Sequence, residues 1–242
     1  MKKLMTQGFF LLGITVFSPL EIAVADELSN RQWQDPYRVA QIPKPLVSNK
    51  KPVRSCDSLK ALVLEHTAIV KTKIIVANKD TPAWCKVTAI VQRSRGDDPI
   101  TVWVGLPLNH WNGRFHGTGG GGFAGGIPGE NRILGMVQQI PAGFAVAATD
   151  AGPRTTLPGR NVKNGEFALD ENGRLDWLAI RNFSYRGIHQ MTLTGKLITS
   201  AFYGENPRYA YFSGCSTGGR QGLMEAQRYP DDYDGILAAA PA

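Results

Sequence analysis

The sequence predicts an α/β fold in which a mixed, mostly parallel sheet carries one sharp strand–turn–helix. Three observations predict it. Short apolar or β-branched runs recur between residues 68 and 107, and again at 143–149, 209–212 and 235–240, with the length and composition of strands. Between the later runs, Ile188, Met191, Gly195, Ile198 and Phe202 recur at three- and four-residue spacing, which gives a helix one apolar face. Finally, Tyr209–Phe212 turns abruptly through Gly214-Cys-Ser-Thr-Gly218 into good helix formers from Leu223 to Arg228.

Residues 1–25 have the form of a secretory signal: Lys2-Lys3, an apolar stretch from Leu4 to Leu20 interrupted at Ser18-Pro19, and Ala23-Val-Ala25 as a small-x-small cleavage pattern. The stretch is too short and too broken for a convincing membrane span. Export to a secreted or periplasmic location follows, with no membrane association after the signal is removed. Residues 26–55 are polar and carry Pro36, Pro43, Pro45 and Pro52, so they are expected to form an extended arm. Residues 56–242 are left for one domain.

That part opens β-like. Ala68-Ile-Val, Lys73-Ile-Ile-Val, Lys86-Val-Thr-Ala-Ile-Val and Thr101-Val-Trp-Val-Gly-Leu-Pro107 are short β-branched runs, expected as an antiparallel section of the sheet. Gly143-Phe-Ala-Val-Ala-Ala-Thr149 is expected as a fully buried parallel strand ending at Asp150. Asp176 to Phe202 is the longest helical candidate, stopped by Gly204. Tyr229-Pro230 ends the later helix, an acidic turn follows at Asp231, Asp232 and Asp234, and Gly235–Ala240 is the next buried strand.

The chemistry is concentrated in the sharp turn. Strand, G-x-S-x-G and helix form the nucleophile elbow of a serine hydrolase, so the fold is α/β-hydrolase-like. A serine thrust out on such a turn needs neighbours without Cβ atoms. The turn places Ser216 at a helix N-terminus, where free N–H groups and the dipole favour developing negative charge. The N–H of Thr217 is the expected half of an oxyanion hole. For the other half, the run Gly117-Thr-Gly-Gly-Gly-Gly122 lets backbone N–H groups approach an ester oxygen, with Gly120 and Gly121 favoured though spacing does not choose among the four. The same run meets the letter of a dinucleotide fingerprint, but Phe123-Ala-Gly-Gly-Ile-Pro128 is too rich in Gly and Pro to open the helix that reading requires.

The other polar candidates have quieter roles. Asp150 precedes Ser216, whereas the hydrolase order is Ser, acid, His, so Asp150 is expected to hold the Gly152-Pro153 turn. His66, His110, His116 and His189 all precede the elbow; His189 is expected to be structural, and no Cys/His/carboxylate set has zinc-site spacing, so no metal site is expected. The net charge of +7 is scattered, without the basic stripe that nucleic-acid binding uses.

Beyond the pentapeptide, Gly214-Cys-Ser-Thr-Gly-Gly-Arg-Gln-Gly-Leu, Arg228-Tyr-Pro-Asp-Asp-Tyr-Asp-Gly-Ile236, Ala238-Ala-Ala-Pro-Ala242 and Trp111-Asn-Gly-Arg-Phe115 with its glycine cluster resemble the tannase/feruloyl esterase family. The resemblance runs from about Cys56 to Ala242. It implies a secreted α/β-hydrolase that cleaves small esters of aromatic acids; some bacterial relatives hydrolyse the monoester released from a polyester plastic. It also suggests a Cys56–Cys85 bridge. The family pairs the cysteine before the nucleophile with one beside the catalytic histidine, and this chain has no cysteine after position 215, so Cys215 is expected as a buried free thiol. The histidine that the family often has shortly after Asp150 is replaced by Pro153-Arg154.

No histidine follows Ser216. In the family, the acid, the base and a lid domain that often binds calcium come later, so the C-terminal part and lid are expected to be missing here, with no cofactor in this segment and little activity from the chain alone. Two other readings compete: an inactive exported fragment or binding module, supported by the missing base, and a nucleotide-binding α/β protein. The last would want an acidic residue about 20 positions after its glycines; Gln139-Ile-Pro-Ala142 stands there instead.

Overall fold

In a computed structural model of the chain, the described residues are 50–92, 98–123, 138–152 and 165–242, all within one compact unit, Lys44–Ala242. The signal segment, most of the arm, Ala124–Pro128 and Pro153-Arg154 lie outside them.

Seven strands form one sheet in the order β1-β2-β3-β5-β4-β6-β7. β1 (Thr67–Ile75), β2 (Trp84–Val91) and β3 (Ile100–Pro107) run antiparallel. β3 is also antiparallel to β5 (Ala145–Thr149), after which β5, β4 (Arg114–Thr118), β6 (Tyr209–Ser216) and β7 (Gly235–Pro241) are parallel. This is the α/β, mixed sheet expected. Two details differ. The runs at Ala68 and Lys73 are one strand, with a register shift between Ile69 and Lys71. β6 extends four residues beyond Phe212, to the nucleophile candidate itself.

Strand periodicity sorts the core. Ala145 and Ala147 belong to one apolar cluster, with Val87, Val104, Phe115 and Phe212. Val146 and Ala148 belong to a second, with Trp84, Ile140 and Phe144, as alternation across a pleat requires. On the first face lies α2 (Gly187–Tyr203), which buries Ile188, Met191, Ile198 and Phe202. It follows α1 (Trp177–Arg181) through a π-helical turn at Asn182–Arg186. Asp176 starts α1 by accepting from the N–H groups of Leu178 and Ala179, and Gly204 ends α2 at φ 74°. α2 approaches the sheet closely: a Cβ on Gly195 would lie 2.8 Å from the Phe115 ring. α3 (Thr217–Arg228) packs on β6 and β7, starting six residues before the helix formers that announced it.

Cys56 and Cys85 form a disulfide. It ties the 3₁₀ turn at Asp57–Ala61 to β2.

Candidate active site

β6 delivers Ser216 at its C-terminal end, and the chain reverses there into α3. The reversal is carried by Ser216 itself, at φ 59° and ψ −123°, a region that non-glycine residues enter only when the surroundings over-determine it. Its side chain makes no capping hydrogen bond and the residue is exposed, so Oγ is presented outward rather than spent on the helix end. The flanking glycines are needed for space. A Cβ on Gly214 would lie 2.4 Å from the Gly218 carbonyl oxygen, and one on Gly219 would lie 2.2 Å from that of Ala239.

The glycine run after β4 lies against this helix start. Gly119 N–H donates to Ser213 O (2.9 Å), Gly218 N–H to Gly120 O (3.0 Å), and Thr217 Oγ1 to Gly122 O (2.6 Å). Gly120 N–H donates to Oε1 of buried Gln221 (2.9 Å). Of the two loop N–H groups favoured from the sequence, that of Gly120 therefore already has a partner. Gly121 is exposed, and a Cβ there would meet nothing within 4 Å. Gln221 was missed at the sequence level; its one signal is its position, one turn into the elbow helix.

Beside the loop stands an aromatic group. Phe123 lies 5.9 Å from Phe167 and 6.0 Å from Phe183, and those two lie 4.8 Å apart, measured between ring centroids. The Arg220 guanidinium sits 4.6 Å over the Phe183 ring and donates to Ser184 O at 3.1 Å.

None of the four histidines is brought to Ser216. His116 is paired in register with Tyr211, five strand residues before Ser216, or about 16 Å at 3.3 Å per residue. Burial pushes its pKa down to about 4, so it is neutral at pH 7, with Nε2 3.1 Å from Ser213 Oγ. His66 is exposed just before β1, five strand spacings from β6. His110 is exposed before the start of β4, whereas Ser216 stands at the C-terminal edge of the parallel strands. His189 stacks on Tyr229 at 3.7 Å. Tyr229 caps the C-terminus of α3, so the 12-residue helix, about 18 Å long, separates His189 from the nucleophile. His189 Nδ1 instead bonds Asp232 Oδ2 at 2.6 Å, the structural role expected of it.

Asp150 accepts from the N–H groups of Gly152 (2.8 Å) and Thr101 (2.9 Å). It holds the turn and staples it to β3. Cys215 is free, as expected, but exposed rather than buried: β6 carries it past the covered part of the sheet to the rim.

The family model described as tannase and feruloyl esterase matches residues 85–242. The chain belongs to that family. A probable feruloyl esterase of Arthroderma benhamiae is 45% identical over 159 residues, covering 65% of this chain and 28% of that protein. The mono(2-hydroxyethyl) terephthalate hydrolase of Piscinibacter sakaiensis is 34% identical over 168 residues, covering 66% and 27%. The crystal structure of feruloyl esterase B from Aspergillus oryzae superposes with a TM-score of 0.62 at 29% identity, over 77% of this chain and 36% of that one. This member of the family thus spans a little over a quarter of the length of the curated relatives it matches. No helix among its described residues is long and apolar enough to cross a membrane.

Proposed function

We propose that the chain carries the nucleophile and oxyanion hole of an exported serine esterase that cleaves small aromatic carboxylic esters. One observation carries the reading: an uncapped, exposed Ser216 held at φ 59° at the start of α3. Backbone strain of this kind persists where a site uses it, and it aims Oγ where the first helical N–H groups converge. Family membership and the relatives' names support ester hydrolysis.

In this mechanism Ser216 Oγ attacks the ester carbonyl carbon while its proton passes to a general base. The carbonyl oxygen becomes an oxyanion facing the N–H of Thr217 and of the glycine loop, where helix start and dipole favour negative charge. Gly121 is the better loop donor, because Gly120 N–H is held by Gln221. Collapse of the intermediate expels the alcohol and leaves an acyl-Ser216 ester, which water hydrolyses to the acid, returning the proton to Oγ. Phe123, beside the loop and against Phe167 and Phe183, supports an aromatic acyl group. The four histidines as placed do not supply the base.

Hydrolysis of methyl ferulate and methyl gallate tests the reading, using the chain alone and the chain joined to the remaining segment of a family relative. The chain alone should stay near background, at most at the roughly 10³–10⁴ enhancement over water left to serine proteases without triad members. The joined form should turn over, and Ser216→Ala should abolish that turnover. Equal turnover in the Ser216→Ala form sinks the assignment.

A further inference from the structure

At the other end of α3, three side chains from three elements converge: His189 of α2, Glu225 of α3 and Asp232 of the turn into β7. Each offers one ligand atom, and these atoms all lie within 4.8 Å of one another. Glu225 is fully buried, and its carboxylate oxygens meet no hydrogen-bond partner among the described residues other than the neighbouring Asp232 carboxyl. It faces the Asp232 carboxylate, itself buried. Two carboxylates turned toward each other in a dry site need a proton or a cation between them.

We propose that His189, Glu225 and Asp232 bind one divalent first-row cation, Zn²⁺ foremost. One imidazole and two carboxylates suit a borderline ion, whereas calcium wants six to eight oxygens. Two carboxylates also neutralise the ion's charge. Zinc–ligand bonds of about 2.0–2.2 Å put ligand atoms roughly 3.3 Å apart, so the widest separation present, at most 4.8 Å, has to close by up to about 1.5 Å, while the His189–Asp232 pair at 2.6 Å has to open by about 0.7 Å. Asp232 Oδ2 has to yield its 2.6 Å contact with His189 Nδ1 to the ion.

The surroundings act on the site in both directions. Glu225 sits in the last turn of α3, and a helix C-terminus stabilises positive charge. His189, alone of the three, lines a cavity of about 770 Å³ together with Tyr229, and an ion would enter past the imidazole. Against it stands Lys196, whose Nζ donates to the Asp232 carbonyl oxygen and whose charge acts on Glu225. Arg181 and Arg186 line the same cavity. The bound ion would act as a clasp joining α2, α3 and the turn into β7, with no part in the ester chemistry.

The test uses the untagged chain, stripped with chelator and titrated with Zn²⁺ by calorimetry, with metal content and thermal unfolding measured in parallel. One equivalent should bind and raise the unfolding temperature. Glu225→Gln, Asp232→Asn and His189→Gln should each weaken binding by more than the roughly 10–100-fold that loss of an outer-shell partner costs. His66→Gln, in the lining of the cavity but outside the three-residue cluster, should leave it unchanged. Binding that is substoichiometric, or equal in the three ligand variants, overturns the site. So does a Glu225→Gln protein that is as stable as the parent while Zn²⁺ shifts neither, since a proton shared with Asp232 then explains the cluster. Should the variants fail to fold, metal content of the parent decides alone.

Discussion

The two ends of α3 do opposite things with the same helix. At its N-terminus the working parts are main chain: a strained serine, the N–H of Thr217, and a glycine loop held by backbone bonds. At its C-terminus they are mainly side chains: a histidine, two buried carboxylates and a lysine whose Nζ donates to the Asp232 main-chain carbonyl. The first end depends on shape and tolerates no added atom at Gly214 or Gly219. The second depends on charge and should tolerate an isosteric change that alters only protonation.

The largest expected effect comes from adding one methyl group at the shape-dependent end. Gly219→Ala places a Cβ about as close to the Ala239 carbonyl as a covalent next-nearest neighbour, at 2.2 Å. Neither α3 nor β7 can move without uncoupling the other. A loss of about 3 kcal/mol in urea unfolding is expected, at the upper range for overpacking. Gly121→Ala, with open space around it, is the control and should change stability by less than about 0.5 kcal/mol. Equal effects at the two positions would break the comparison.

The next effect is a pH slope at the charge-dependent end. Burial, reinforced by the Asp232 carboxylate, pushes the Glu225 pKa from 4.5 up to about 9. Above pH 4.5 the folded chain therefore keeps a proton that the unfolded chain has released. The stability tied to that proton is complete below pH 4.5 and is lost as pH rises through 9. His116 contributes with the opposite sign: its pKa is held at about 4 by burial, so stability falls as pH drops from 6.5 toward 4. In chelator, a decline between pH 6.5 and 9 thus reports Glu225, and Glu225→Gln should flatten it. An unchanged slope in the variant would assign it elsewhere.

The two ends were also unequally legible in the sequence. The elbow is local: strand, turn and helix lie within Tyr209–Arg228, although of its glycines only Gly214 is crowded solely from within that stretch, by Gly218, while Gly218, Gly219 and Gly222 also meet residues beyond it. The helix from Asp176 could be bounded because its start and stop, Asp176 and Gly204, are local devices. The charge cluster could not be found this way. His189 and Asp232 are 43 residues apart, and only the packing of α2 against α3 brings them together, so a search for ligand spacing along the chain passes over them. Gln221 was hidden for the same reason, its partner Gly120 lying 101 residues away. The exposure of Cys215 depended on how far β6 runs, and a strand's end is set by its neighbours rather than by its own residues.

The smallest effect concerns Ser216 itself, where function and stability should separate. Its φ of 59° and ψ of −123° suit glycine and strain any residue with a Cβ, by an amount on the order of 1–3 kcal/mol. The hydroxyl returns none of this through capping, since it makes no bond to the helix start. Ser216→Gly therefore relieves the strain, while glycine's greater freedom in the unfolded chain offsets roughly 0.5–1 kcal/mol of the gain. A net stabilisation of about 1 kcal/mol is expected in urea unfolding, alongside loss of the nucleophile. Ser216→Ala keeps the Cβ and the strain, so it should lose the nucleophile without gaining stability. If both variants unfold at the same urea concentration as the parent, the elbow is relaxed rather than strained, and the claim that main-chain geometry is held there against its own preference fails.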